Sequence, residues 1–173
     1  DLATVLSLTV INDNVATYLV YGASTRAGAR AEKKGYSQVL WLDGIEHKYI
    51  DEVGAMNVFF VIDGKVITPT LESGSILPGV TRASCIELLR SKGFTVTERK
   101  ISIDELCAAM ENGTLEEAWG CGTAAVVSPV GKLRYMDDVM TIGDGNIGPL
   151  SQKIYDTVTG IQNGTGCNTT LVD

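Results

Sequence analysis

The stretch KYIDEVGAMNVFFVIDGKVITPT, residues 48–70, decides the fold class. Its apolar and β-branched residues come in short alternating or continuous runs, the pattern of half-buried and fully buried strands. Asp63-Gly64 divides two of those runs and is the strongest short hairpin signal in the chain. Glu52 lies among apolar neighbours on what reads as an inner strand. A buried carboxylate needs a cation or a hydrogen-bond donor. Either Glu52 has such a partner or it faces solvent.

Upstream, TVLSLTVI (residues 4–11) and ATYLVY (16–21) read as strands, and SQVLWLDG (37–44) as a buried strand. Between them ASTRAGARAEKKG (23–35) is rich in alanine and ends in lysines and a glycine, the signature of a helix with a C-terminal stop. Downstream, TRASCIELLRSKG (81–93) is an amphipathic helix, TVTERKIS (95–102) a strand and SIDELCAAMENG (102–113) a capped helix. EEAWGCGTAAVVSPVGKLRYMDDVMTI (116–142) reads as strands around a glycine-rich turn, and GPLSQKIYDTVTGIQNG (148–164) as a last helix. Helices and strands mix without regular βαβ alternation, which gives an α+β class.

The 173 residues fit one domain, with room for a small appendage, and 45% hydrophobic against 20% charged residues describes a folding chain. A net charge of −7 with no basic cluster argues against binding a nucleic-acid backbone. A single small anion is still accessible to local backbone dipoles. The four cysteines show no CxxC or metal-ligand spacing, and His47 is the only histidine, so no metal site is expected. No apolar run approaches membrane-spanning length, and dispersed free cysteines favour a reducing compartment. The expectation is a cytoplasmic protein with no membrane partner.

Two turns could hold a phosphate. In LPGVTRASC (77–85), Pro78-Gly79 makes a turn, Thr81 sits where an N-cap belongs, and a helix follows. Free N–H groups and the positive dipole end make such a terminus an anion site, or else it is simply a capped helix. In WGCGTAAVV (119–127), Gly120 and Gly122 precede Thr123-Ala124, which reads as an N–H-lined anion turn or as an ordinary bulge. Two phosphate-binding turns plus a buried acid that can hold a protonated pyridine nitrogen fit pyridoxal phosphate.

GYSQVLWLDGIEHKYIDEVGAMNVFFVIDGKVITPTLESGSILPGVTRASCIELL (35–89) resembles the branched-chain amino acid aminotransferases, fold-type IV pyridoxal-phosphate enzymes. EEAWGCGTAAVVSPVG and GPLSQKIYDTVTGIQNG continue the likeness in the same order, over about residues 21–164. The resemblance implies the larger, C-terminal domain of that family, a pseudo-barrel of mostly antiparallel strands with flanking helices. It implies that Glu52 holds the pyridine nitrogen, that Gly79, Val80 and Thr81 form one phosphate arm, and that Thr123 and Ala124 form the other. It further implies that Tyr21 bonds the ring hydroxyl and that Ala125 faces the substrate.

One element of the family pattern is missing. The family reads K-x-x-G-N-Y, with the Schiff-base lysine five residues before the tyrosine. Counting back from Tyr21 gives Ala16, with Leu19 and Val20 at the glycine and asparagine positions, and the first lysine in the chain is Lys33. That lysine activates the cofactor and moves the α-proton, so its absence predicts noncovalent cofactor binding without ordinary turnover. The alternative is a non-catalytic remnant that folds and oligomerises. The domain reading is a divergent N-terminal strand segment (1–20), the aminotransferase class IV C-terminal domain (21–164) and a divergent tail (165–173), a truncated relative. Its expected partners are an amino acid or 2-oxo acid and a second copy of the chain.

Overall fold

The computed structural model describes residues 6–10, 22–124 and 126–165. The first elements are β1 (Leu6–Val10), α1 (Gly22–Lys33), β2 (Gln38–Leu42), β3 (Ile50–Val53), β4 (Asn57–Ile62) and β5 (Lys65–Thr68). Then come α2 (Val80–Ser91), β6 (Val96–Glu98), α3 (Ile103–Glu111), β7 (Leu115–Gly122), β8 (Val126–Tyr135), β9 (Asp138–Thr141) and α4 (Pro149–Gln162). The strand expected at 16–21, Tyr21 included, lies outside the described residues.

The strands form one sheet in the order β3-β2-β1-β8-β7-β4-β5-β6, with β9 paired to β8. The pairs β2–β3, β4–β5, β4–β7, β7–β8 and β8–β9 are antiparallel, while β1–β2, β1–β8 and β5–β6 are parallel. The path does not end in two free edges. Ile50 N donates to Ile101 O at 2.9 Å and Ile103 N to Lys48 O at 2.9 Å, so the approach to β3 meets the segment just past β6. That bridge curls the sheet towards closure, in agreement with the expected pseudo-barrel.

β4 is buried on both faces, which is why NVFFVI reads as a continuous apolar run. On one face Val58 and Phe60 join Leu40, Ile50, Ile67, Val130 and Leu133, and α3 contributes Ile103 and Leu106 to the same core. On the other, Phe59 and Val61 lie with Trp119 beneath α2 (Cys85, Ile86, Leu89) and α4 (Leu150, Ile154, Val158). The Phe59 and Trp119 rings stack with centroids 5.3 Å apart. Fully burying each large side chain contributes about 1.5–3 kcal/mol before the entropic cost of ordering it. The hairpin is as expected: Asp63 (φ 49°) and Gly64 (φ 69°) both take positive φ between β4 and β5. α3 starts as its sequence predicts, with Ser102 Oγ accepting from Glu105 N at 3.1 Å.

Candidate functional site

The sheet brings the two predicted turns and Glu52 to one end. Asn57 opens β4 opposite Cys121 of β7, so the Thr123-Ala124 turn begins two residues beyond Asn57's strand partner. β3, which carries Glu52, turns into β4 through residues 54–56. The chain then crosses from β5 to Leu77–Gly79 and enters α2 at Val80.

Glu52 is partly buried, and its carboxylate has hydrogen-bond donors. Its Oε1 accepts from Asn57 Nδ2 at 3.2 Å and from Leu77 N at 3.3 Å. Burial pushes its carboxyl above the usual range; the Leu77 N–H opposes this and the Asp51 charge adds to it. Among the described residues no cation is paired with it. The carboxylate therefore sits in a setting that favours a cationic neighbour, without having one of its own.

The N-terminus of α2 differs from the other helix starts of known cap. The expectation placed Thr81 at the N-cap; the cap is Gly79, extended at φ −68° and ψ 137°, and Thr81 is the second helical residue. Gly79 has no side chain to accept a bond, and among the described residues nothing accepts from the N–H groups of Val80, Thr81 or Arg82. In α3 the serine fills that role. In α4 the Glu117 carboxylate does, accepting from Leu150 N at 2.9 Å and Ser151 N at 2.8 Å. Leu77 and Val80, 70% and 83% exposed, flank the open terminus, so solvent and ligand have access to it. Three N–H groups without a partner among the described residues, at the positive end of a helix of 12 residues, could accept an anion.

Arg82 anchors this first turn. It is buried, and its Nη2 donates to Pro69 O at 2.9 Å and to Glu98 at 3.0 Å, tying α2 to the ends of β5 and β6. Its Nε has no hydrogen-bond partner among the described residues.

The second turn leaves Thr123 and Ala124 exposed beyond the end of β7. Met56, in the turn just before β4, packs against Gly120 and Gly122, and a Cβ at Gly120 would come to 2.9 Å from the Met56 Cε. Beyond the turn Val126 adopts φ 50°, a conformation that costs a β-branched residue of order 1–3 kcal/mol. Behind both turns Cys121 and Cys85 of α2 are fully buried in the same core cluster, with their thiols close enough to influence each other. The contact with Cys85, and burial with it, hold the Cys121 thiol far above its usual range. Sequence spacing gave no sign of this pair.

Glu52, Gly79, Val80, Thr81, Thr123 and Ala124 thus lie at one end of the sheet. Tyr21, Ala16 and Ala125 lie outside the described residues. Lys48 precedes β3, exposed, with its Nζ 5.7 Å from the Tyr49 ring centroid. Sequence reasoning missed Asn57 and Arg82. The available signal for Asn57 was a lone amide opening an otherwise apolar buried strand, and for Arg82 a cation beside the Pro-Gly turn.

The profile of the amino-transferase class IV family matches residues 14–133. The probable branched-chain-amino-acid aminotransferase of Staphylococcus aureus strain N315 is 59% identical over 145 residues, covering 84% of this chain and 40% of that protein. Branched-chain-amino-acid aminotransferase 2 of Bacillus subtilis strain 168 is 56% identical over 151 residues, covering 87% and 41%. The chain spans about two fifths of the length of the curated relatives it matches. Among solved structures, the branched-chain aminotransferase of Escherichia coli superposes with a TM-score of 0.77 at 28% identity, over 96% of this chain and 54% of that one. The pyridoxal-phosphate form of the Thermobaculum terrenum enzyme gives 0.74 at 28% identity, over 94% and 52%.

Proposed function

This chain belongs to the amino-transferase class IV family, and from that premise we propose that it is a branched-chain-aminotransferase-like domain that grips pyridoxal phosphate noncovalently. The observation that carries this reading is the open N-terminus of α2, joined through Leu77 to a partly buried carboxylate with no cation paired to it among the described residues. Pyridoxal phosphate presents a dianionic phosphate at one end and a basic ring nitrogen at the other, and the residues present fit both.

In this reading the N–H groups of Val80 and Thr81, with Gly79 leaving the approach clear, hold phosphate oxygens together with Thr123 and Ala124. Glu52 holds a proton on the ring nitrogen, and burial makes that ion pair stronger than it would be in water. Tyr21 bonds the ring hydroxyl, and Ala125 borders the amino or oxo acid. When bound, the protonated ring withdraws electrons from the substrate's α-carbon, the chemistry on which transamination depends. With Ala16 where the family has its lysine, this chain lacks the group that would move the α-proton, so binding outlasts turnover. The family reading also carries an amino acid or 2-oxo acid as small-molecule partner and a self-associated chain, which gel filtration checks.

Titration with pyridoxal 5′-phosphate, followed by absorbance, by borohydride reduction and by intact mass, tests the reading. The expected result is saturable, reversible binding, weakened by Glu52→Gln, with no adduct. A stable adduct on one lysine would assign the chemistry elsewhere in the chain. No binding at all would leave a structural, non-catalytic domain.

A further inference from the structure

We infer that Asn57 is a positioning residue whose single side-chain amide holds the Glu52 carboxylate and the Leu77–Gly79 turn in one frame. Its Nδ2 donates to Glu52 Oε1 at 3.2 Å and to Leu77 O at 2.9 Å, so both amide protons are committed. Its Oδ1 fills the space beside Gly79, where a Cβ would overlap it. Leu77 is thereby held on both sides of its peptide unit, its N–H by Glu52 and its carbonyl by Asn57.

Rigidity says which member of this cluster sets the others. β3 is four residues long, and Leu77 lies in a loop with its side chain mostly in solvent. Asn57 is 6% exposed and opens β4, which is paired on both sides, to β5 and β7. An asparagine serving only to satisfy the Leu77 carbonyl would have a proton to spare, but here that proton goes to the acid. The geometry couples the two ends of the proposed cofactor grip through one buried amide on the most enclosed strand, as a preorganised site requires. The functional meaning rests on the reading above; the coupling itself does not.

The test measures both in the full 173-residue chain. Side-chain 13C NMR follows the Glu52 titration without ligand, and calorimetry gives the affinities for pyridoxal 5′-phosphate and inorganic phosphate. Asn57→Ala should move the Glu52 titration upward, because a donor to the carboxylate is lost while burial remains. It should also weaken pyridoxal phosphate about 10- to 100-fold, the worth of a hydrogen bond to a charged group, and weaken inorganic phosphate with it. Glu52→Gln keeps an acceptor for Leu77 N and removes the charge, so it should weaken pyridoxal phosphate far more than inorganic phosphate. Gly79→Ala is the second variant: its methyl group displaces the Asn57 amide, so it should raise the Glu52 titration from 27 positions away in the sequence. An unchanged Glu52 titration in both Asn57→Ala and Gly79→Ala would overturn the inference, whatever happens to phosphate. An upward shift in both variants of a wild-type chain that binds no pyridoxal phosphate would uphold the coupling and refute the functional reading.

Discussion

Removing the Glu117 carboxylate should release the start of α4, and the size of the loss can be worked from its partners. Pro149, the first helical residue, has no N–H to satisfy. The next two donors, Leu150 N and Ser151 N, both go to Glu117, at 2.9 and 2.8 Å, and the buried Ser151 hydroxyl donates to it at 2.7 Å. Hydrogen bonds to a charged acceptor contribute about 1.5–3 kcal/mol each in isolation, and losing a helix N-cap costs roughly 0.5–2 kcal/mol. These values are not additive. Beside the carboxylate lies a cavity of about 300 Å³ lined by Glu117, Gly148 and Ser151, from which water can reach the released donors. Glu117→Ala should therefore cost about 2–3 kcal/mol, or roughly 4–12 °C in Tm for a chain of this length. Urea and thermal unfolding measure it. Gly148 supplies an internal control, because a Cβ there would overlap the Glu117 carboxylate. Gly148→Ala should destabilise the wild type. In the Glu117→Ala background the overlap is gone and only the poorer N-cap preference of alanine remains, so the loss should be smaller than in the wild type. A loss below about 1 kcal/mol for Glu117→Ala, or an equal loss for Gly148→Ala in both backgrounds, would refute the assignment of Glu117 as the α4 cap.

Val126→Gly should gain about 1 kcal/mol in urea unfolding by relieving the φ of 50°; a net loss would show that the valine's packing outweighs the strain. Burial alone would raise the Asp43 carboxyl, but the N–H groups of Glu46, Lys48, Tyr49 and Ile45 outweigh it and hold the pKa at about 2 against a usual 3.8. Its stabilisation is thus complete above pH 3.8 and is lost as pH falls through about 2. Allowing for solvent screening, Asp43→Asn should cost about 1 kcal/mol at neutral pH and nothing at the acid end, and a pH-independent loss would contradict this. Glu52 carries the opposite sign: burial raises its folded pKa, so the unfolded chain ionises first and stability declines as pH rises through that interval. Glu52→Gln should flatten that decline in thermal melts of the ligand-free chain while weakening pyridoxal phosphate. An unchanged pH profile would mean that Glu52 is solvated like a free side chain.

The local features of this fold are legible because one or a few neighbouring residues set each of them. The buried run of β4, the Asp63-Gly64 hairpin and the Ser102–Glu105 cap all follow from spacing within six residues. Glu52 and the two turns were found the same way. What spacing does not show is which distant group completes a local one. Thr81 looks like an N-cap by residue type, yet the Pro78-Gly79 turn starts the helix two residues earlier, beside the Asn57 amide. The α4 cap is supplied from 31 positions before Gly148, and the Cys85–Cys121 contact joins a helix to a strand. Family likeness suggests residues to grip a ligand, but not Asn57, whose amide bonds only other residues of the chain.

β8 serves two sets of partners. Its first half, Val126–Pro129, pairs with β7, and its second half, from Val130 on, lies between β1 and β9. β7 and β9 are its hairpin neighbours, made just before and just after it. β1 is made before the other described strands, yet must wait for residue 130, some 124 positions later. At roughly 5–20 residues per second that wait lasts about 6–25 s. During it, the β8-facing edge of β1 has only water or another nascent chain to bond. Among the described strands β1 is thus the one that waits longest for a partner, and the hazard in its biosynthesis lies in that interval.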